Sequence, residues 1–254
     1  MRQYILAETN WKDIRKREIE VAVLPWGATE AHNFHLPYAT DNYQIEAIAA
    51  EAGKMAFEKS AKVIILPNIP FGVNTGQSDI LLDINLNPST QFSILSDIIE
   101  MLNRQGIYKL ILLNGHGGNN FKPILRELGL KYPKMFLVTT NFFEVIDKYK
   151  FFEEKGDHAD EMETSLMLYL KPELVLPIEE AGTGAENKSR IGGIKEGWAW
   201  AERRWSLVSA DTGIGNPEKA SKEKGKSFFI EVCDKLAELF LEVSDIKIED
   251  RYER

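Results

Sequence analysis

Three short stretches of this 254-residue chain concentrate side chains that can bind metal ions or move protons. The first is Thr29-Glu30-Ala31-His32-Asn33-Phe34-His35-Leu36-Pro37, with Asp41 nine residues after His32. Carboxylate oxygens and neutral imidazoles are the ligands that hold zinc or manganese, and a carboxylate can bridge two ions. In extended chain, residues two apart point to the same side, so Glu30 and His32 can reach one site. The pair by itself has a plain alternative, a loop histidine held by a hydrogen bond.

The second stretch, Asn114-Gly115-His116-Gly117-Gly118-Asn119-Asn120, follows the apolar run Leu110-Ile111-Leu112-Leu113. Its glycines let the backbone take positive φ and approach a ligand closely, although a tight turn with an incidental histidine would read the same way. The third, Gly156-Asp157-His158-Ala159-Asp160-Glu161-Met162-Glu163-Thr164-Ser165, precedes the apolar run Leu166 to Leu170. Asp160, Glu161 and Glu163 suit the first turn of a helix by charge alone. The same position disfavours a protonated imidazole, so His158 is kept near neutrality and suited to proton transfer.

The elements around these stretches must place them at one end of a sheet. Short apolar runs bounded by turn residues alternate with segments of 3.6-residue period, the pattern of βαβ units and a parallel sheet. Strands are predicted at Glu20–Leu24, Lys62–Leu66, Lys109–Leu113 and Met135–Thr139, and helices at Asn42–Phe57, Pro88–Arg104, Asn120–Leu130, Asp160–Leu170 and Pro217–Val243. In such sheets ligands bind outside the carboxyl ends of the strands, and the first two histidine stretches lie directly after predicted strands. The segment Glu179–Gly197, rich in glycine and charge, reads as a long surface loop, a kind of segment that often carries function. Too few residues follow it to build a second core, so residues 1–254 are read as a single domain.

Composition removes several classes. Lys and Arg number 31 against 39 Asp and Glu, a formal net charge of −8, which argues against a phosphate-neutralising surface and so against a nucleic-acid partner. No apolar run approaches the roughly 20 residues needed to span a bilayer, so no membrane span is expected. The N-terminus meets a charge before an apolar run can form, which lacks the pattern of a secretory signal and implies a cytoplasmic address. The single cysteine, Cys233, permits no intramolecular disulfide and no thiolate zinc cluster, and its apolar surroundings place it in the core. Neither G-x-S-x-G nor G-x-G-x-x-G spacing is present, so a serine nucleophile and a nucleotide site are disfavoured, and a polar small molecule is the expected ligand. Trp198, Trp200 and Trp205 read as core or interface packing, with pocket lining as the alternative.

Taken together and in order, the stretches resemble the creatininase family, the creatinine amidohydrolase-like metal-dependent hydrolases. TEAHNFHLPYATD resembles T-E-x-H-x-x-H-L-P-x-x-T-D, NGHGGN matches N-G-H-G-G-N, HADEMETS is similar to H-A-G-E-x-E-T-S, and Gly213-Ile214-Gly215-Asn216-Pro217-Glu218-Lys219-Ala220-Ser221 is similar to G-V-x-G-D-P-x-x-A-[ST]. The resemblance implies a three-layer αβα sandwich with a mostly parallel central sheet. It also implies two divalent metal ions, zinc or manganese with iron as a third candidate, hydrolysis of a non-peptide C–N bond by metal-activated water, and a homo-oligomer, commonly a hexamer. Carried over by motif, Glu30, His32, Asp41 and His116 fall on metal-ligand positions, with Asp41 bridging. His158 falls near the scissile bond and would protonate the leaving nitrogen. His35 matches a family histidine and is assigned with Gly117 and Gly118 to the substrate, the two glycines as oxyanion donors.

Three departures bear on this reading. Gly118 stands where creatinine-hydrolysing members carry a glutamate that completes the second metal, so Glu161 is expected to supply the missing carboxylate as ligand and catalytic group. Glu154 stands where they carry a tryptophan. Asn74 to Asp83 replaces S-x-E-H-x-x-F-P-G-T, with Gly76-Gln77 in place of the Glu-His pair. The expected substrate is therefore a small cyclic amide or a formamide, with creatinine only one candidate. The competing reading is a non-catalytic oligomer that kept the fold and lost turnover.

Overall fold

The period of two along the strands sorts side chains onto the two faces of one sheet. In this computed structural model, which describes residues 2–253, the strands are β1 (Val21–Trp26), β2 (Val63–Ile65), β3 (Lys109–Asn114) and β4 (Phe136–Asn141). Every residue of β1, β2 and β3 is buried, the signature of strands covered on both faces. Val21, Val23, Val63, Ile65, Ile111 and Leu113 enter one core, while Ala22, Leu24, Trp26, Ile64, Leu110 and Leu112 enter the other.

The helices complete the outer layers: α1 (Trp11–Ile14), α2 (Thr40–Glu58), α3 (Pro88–Arg104), α4 (Phe121–Lys131), α5 (Glu161–Leu170), α6 (Gly192–Lys195), α7 (Trp205–Val208) and α8 (Lys222–Asp245). α2, α5 and α8 cover the first face through Ile45, Ile48, Leu166, Phe228 and Leu236, and Cys233 is buried among them as expected. α3 and α4 cover the second through Leu95, Ile99, Leu102, Ile124 and Leu128. The three-layer αβα arrangement implied by the motifs is the one observed.

All strand pairs are parallel, in the order β2-β1-β3-β4. The connection after β1 leads to one edge and the connection after β3 to the other, so the switch of direction falls between β1 and β3, where such sheets open a crevice. Register makes the strand ends level, because Trp26 pairs with Asn114 and Asn114 with Asn141. The segments after β1, β3 and β4 thus leave the sheet side by side.

Predicted and observed bounds differ mainly at helix starts. α8 begins at Lys222 rather than Pro217, because Ala220 N–H closes a turn on the Pro217 carbonyl and the Ser221 side chain caps Lys224 N–H. α2 begins at Thr40, which places Asp41 in its first turn. The 179–197 segment is largely irregular, holding only the 3-10 turn Ile178–Glu180 and α6, and is tied down by hydrogen bonds in both directions between Asn33 and Gly182. Among the described residues no helix is long and apolar enough to cross a membrane.

Candidate metal centre

The level ends of β1 and β3 and the first turns of α2 and α5 converge on one polar cluster. Glu30 and His32 come from the loop after β1, Asp41 from α2, His116 from the glycine turn after β3, and Glu163 from α5; all are buried. Asp41 turns one oxygen toward each of two histidines, with Oδ1 3.0 Å from His32 Nε2 and Oδ2 3.0 Å from His116 Nδ1. Glu30 Oε1 lies 2.9 Å from His116 Nδ1, and Glu163 Oε2 lies 3.8 Å from His32 Nε2. Two trios of ligand atoms share Asp41, namely Glu30–Asp41–His116 and His32–Asp41–Glu163, and a third comprises Glu30, His32 and His158.

Backbone carbonyls decide which nitrogen of each histidine faces the cluster. His32 Nδ1–H donates to the Glu30 carbonyl at 3.1 Å, His116 Nε2–H to Val73 at 3.0 Å, and His158 Nε2–H to Ala31 at 2.8 Å. The opposite nitrogens therefore point at carboxylates. A bare imidazole nitrogen and a carboxylate oxygen are both acceptors, so they sit together only around positive charge, either a proton or a metal ion.

The electrostatics state the same demand. Burial alone would lower the His32 pKa, but Asp41, Glu163 and Glu30 outweigh it and hold the ring up at about 10. His116 is likewise held well above its ordinary value by Glu30 and Asp41 against burial. Burial pushes Glu163 up to about 8, whereas His32 and His116 keep Asp41 below the usual carboxylate range despite its burial. Three carboxylates and two oriented imidazoles in a water-poor site suit a divalent cation of the zinc or manganese kind.

Glu161, expected to complete the ligand set, does not reach the cluster. Its Oε2 accepts N–H groups of Glu153 at 2.8 Å and Glu154 at 2.9 Å, and its Oε1 meets Lys224 Nζ at 2.5 Å. Residues two apart on an α-helix stand about 200° apart around its axis, so Glu161 and Glu163 cannot face one site. The face of α5 that packs on α8 takes Glu161, and Glu163 is left to the cluster. The same contact engages Lys224 in an ion pair with Glu161.

His35 also stays outside the cavity. Its Nε2 lies 2.8 Å from Thr164 Oγ1, which braces α5 from behind, and burial pushes its pKa down to about 4. Gly117 and Gly118 do line the cavity, which has a volume of about 810 Å³ and is walled also by Glu30, His116, His158 and Glu163. A Cβ on Gly118 would fall 2.3 Å from the Val73 carbonyl and 2.5 Å from His116 Nε2, so this turn has no room for a glutamate.

Several participants were not singled out from sequence. Gln77 Nε2 donates to Glu30 Oε2, so the Gly76-Gln77 departure supplies a prop for a ligand. Asn119 accepts from Val73 N–H at 3.0 Å and donates to Asn114 Oδ1 at 2.9 Å, and Asn114 in turn donates to the His116 carbonyl at 2.8 Å, which braces the glycine turn. The asparagines flanking G-H-G-G were the available signal. Of the three tryptophans for which sequence offered pocket lining as the alternative, Trp205 is buried against His158, with ring centroids 4.8 Å apart, and the exposed Trp200 lines the cavity, whereas Trp198 does not. Gly76 makes this wall feasible, since a Cβ there would lie 2.2 Å from the Arg203 carbonyl.

A family model for creatininases, described as creatinine amidohydrolase, matches residues 7–240. The 3-dehydro-scyllo-inosose hydrolase of Thermotoga maritima is 29% identical over 178 residues, which cover 65% of this chain and 55% of that protein, so the match spans about half of that relative's length. The creatinine amidohydrolase of Pseudomonas putida is 26% identical over 194 residues, covering 67% of this chain and 73% of that protein. A crystal structure of a candidate creatinine amidohydrolase from Bacteroides fragilis superposes with a TM-score of 0.92 at 39% identity, covering 100% of both chains.

Proposed function

Because the chain belongs to the creatininase family, we propose that it is a metal-dependent amidohydrolase, working as one domain over residues 1–254 on a non-peptide C–N bond of a small polar molecule. A cyclic amide or a formamide is the preferred substrate class. The observation that supports this most directly is that three histidines, each fixed by a backbone carbonyl, aim their free nitrogens at a buried carboxylate group built around Asp41.

Glu30, Asp41 and His116 would hold one divalent ion, and His32, Asp41 and Glu163 a second, zinc or manganese by the chemistry of the donors. Bound there, such ions lower the pKa of water from about 15.7 toward roughly 7 and polarise a carbonyl. Gln77 keeps Glu30 in place from its far side, so replacement of the family's Glu-His pair leaves the ligand set supported.

The orientation of His158 refines its role. Its Nε2–H is committed to Ala31, so the group it shows the site is Nδ1, 3.8 Å from Glu30 Oε1. Burial, with His32 nearby, lowers its pKa, so this nitrogen is a proton acceptor at rest. His158 first takes a proton from the attacking water and then returns it to the leaving nitrogen, which cannot depart as an amide anion. Trp205 packs against the ring, which restricts its orientation. Gly117 and Gly118 lie in the cavity wall, and their N–H groups would serve as donors to an oxyanion.

A homo-oligomer is the expected assembly, a hexamer by family resemblance, and sedimentation would read it. The function is tested by elemental analysis of protein expressed with ample metal, followed by a panel of cyclic amides and formamides offered to the loaded protein. Bound divalent ions with turnover of a panel member support the proposal. Absence of metal and of turnover would leave the non-catalytic reading.

A further inference from the structure

Asp83 lies outside the ligand set, on the loop between the 3-10 turn Thr75–Gln77 and α3, yet it ends a hydrogen-bond chain that runs into the cluster. Its Oδ1 accepts the Ala31 N–H at 2.7 Å. That N–H belongs to the Glu30–Ala31 peptide unit, and the carbonyl of the same unit accepts His32 Nδ1–H at 3.1 Å. Across the ring, His32 Nε2 faces Asp41 Oδ1 at 3.0 Å and Glu163 Oε2 at 3.8 Å.

We infer that Asp83 is a positioning residue for His32, acting through the Glu30–Ala31 peptide. Burial pushes the Asp83 pKa up to about 7, so above that pH a carboxylate faces the peptide N–H and raises the negative charge on the carbonyl oxygen of that peptide, because bonds in a chain polarise one another. The strengthened carbonyl holds Nδ1–H more firmly and makes the opposite nitrogen a better donor toward a cation. Carboxylate–histidine–metal triads do this by direct contact. Here one peptide unit is inserted between carboxylate and imidazole, and the inference rests on the proposed metal-dependent reading, since the second ion is what His32 Nε2 would hold.

The placement of Asp83 fits this role better than a purely structural one. The Ala31 N–H is the one hydrogen-bond partner of its side chain among the described residues, and its Oδ2 is buried without a partner. Burying an unpartnered carboxylate oxygen is unfavourable, a cost that offsets the one hydrogen bond to Ala31. Leu82, immediately before it, is exposed with φ +64, a left-handed conformation that bulky residues rarely adopt. The loop is nonetheless pinned there, by Ile84 N–H on the Thr29 carbonyl at 3.0 Å and by Tyr38 O–H on the Leu81 carbonyl at 2.7 Å.

Two readouts on Asp83→Ala and Asp83→Asn test the inference. Zinc titration against a competing chelator is expected to show one of the two zinc steps weakened about ten- to a hundredfold in Asp83→Ala and the other retained. Asp83→Asn, which keeps an oxygen for Ala31 N–H and loses the charge, falls between. In the metal-free protein, the His32 Nδ1–H proton resonance moves upfield in Asp83→Ala and part of the way in Asp83→Asn. An unmoved resonance in Asp83→Ala, or zinc steps of unchanged affinity, would overturn the inference. A wild-type chain that takes up no zinc would overturn the metal reading instead, and the resonance would still decide the role of Asp83.

Discussion

Replacing Glu163 by glutamine removes a carboxyl group that the structure places inside the candidate metal centre, one that gives up its proton to an incoming ion, and replacing Glu161 by glutamine removes one that it places outside. Glu163 Oε2 is 3.8 Å from His32 Nε2, and with Asp41 the two form a trio of atoms that could share a cation. Unit charges at that separation interact by about 4 kcal/mol at an effective dielectric constant of ~20, which is about a thousandfold in affinity. The amide oxygen of glutamine remains as a weaker ligand, so a loss of about two to three decades at one of two ion sites is expected for Glu163→Gln. In Glu161→Gln the buried acceptor of two N–H groups and of Lys224 loses its charge instead. That change costs about 1.5–3 kcal/mol of stability, or several degrees of melting temperature at ~2–4 °C per kcal/mol, with ion content unchanged. Elemental analysis after dialysis against a weak chelator, a competition titration and a thermal melt on both variants read the two outcomes. A Glu163→Gln protein with two ions at wild-type affinity, beside a Glu161→Gln protein that has lost one, would refute the assignment.

Asp41→Ala should lose both ions, because both of the trios proposed to hold an ion include Asp41, and full ion content in that variant would remove the bridging role. His158→Ala should keep its ions and lose about 10²–10⁴ in turnover, the usual worth of a positioned proton-transfer group, as measured on the substrate found in the panel. Ion affinity should rise with pH between 6 and 8: His32, held at about 10, and Glu163, held at about 8, carry protons that an incoming ion displaces. Calorimetry in buffers of differing ionisation enthalpy reads that proton release, and an affinity independent of pH would contradict it. Gly118→Glu should destabilise the fold by about 1–3 kcal/mol and disturb His116, given the contacts a Cβ would make there, and a thermal melt with ion analysis checks both effects.

The layers of this protein were legible in its sequence because strand and helix periods are local. Continuous apolar runs in Val21–Trp26 and in residues 110–113 announce strands buried on both faces, and the end of each strand marks where a ligand-binding loop begins. The order of the motifs likewise pointed to Glu30, His32, Asp41, His116 and His158, five residues that the fold brings into one cluster. Local pattern could not say which carboxylate of α5 joins them. Glu161 and Glu163 are equivalent as first-turn charges, and the choice depends on which side of the helix packs against α8, a contact between residues about 60 positions apart.

The same limit explains the other surprises. His35 sits in the first motif but meets Thr164, a contact with α5 that sequence spacing does not reveal. Gln77, Asp83 and Trp205 touch the cluster or its supports from segments that lie far from it in the chain, and nothing in their neighbours fixes these contacts. Residue types and spacing by themselves determined the kind of chemistry and the elements that carry it. Tertiary structure decided which atoms meet, because the tautomer of a histidine, the prop behind a carboxylate and the wall around a cavity are set by partners that only packing brings within hydrogen-bond distance.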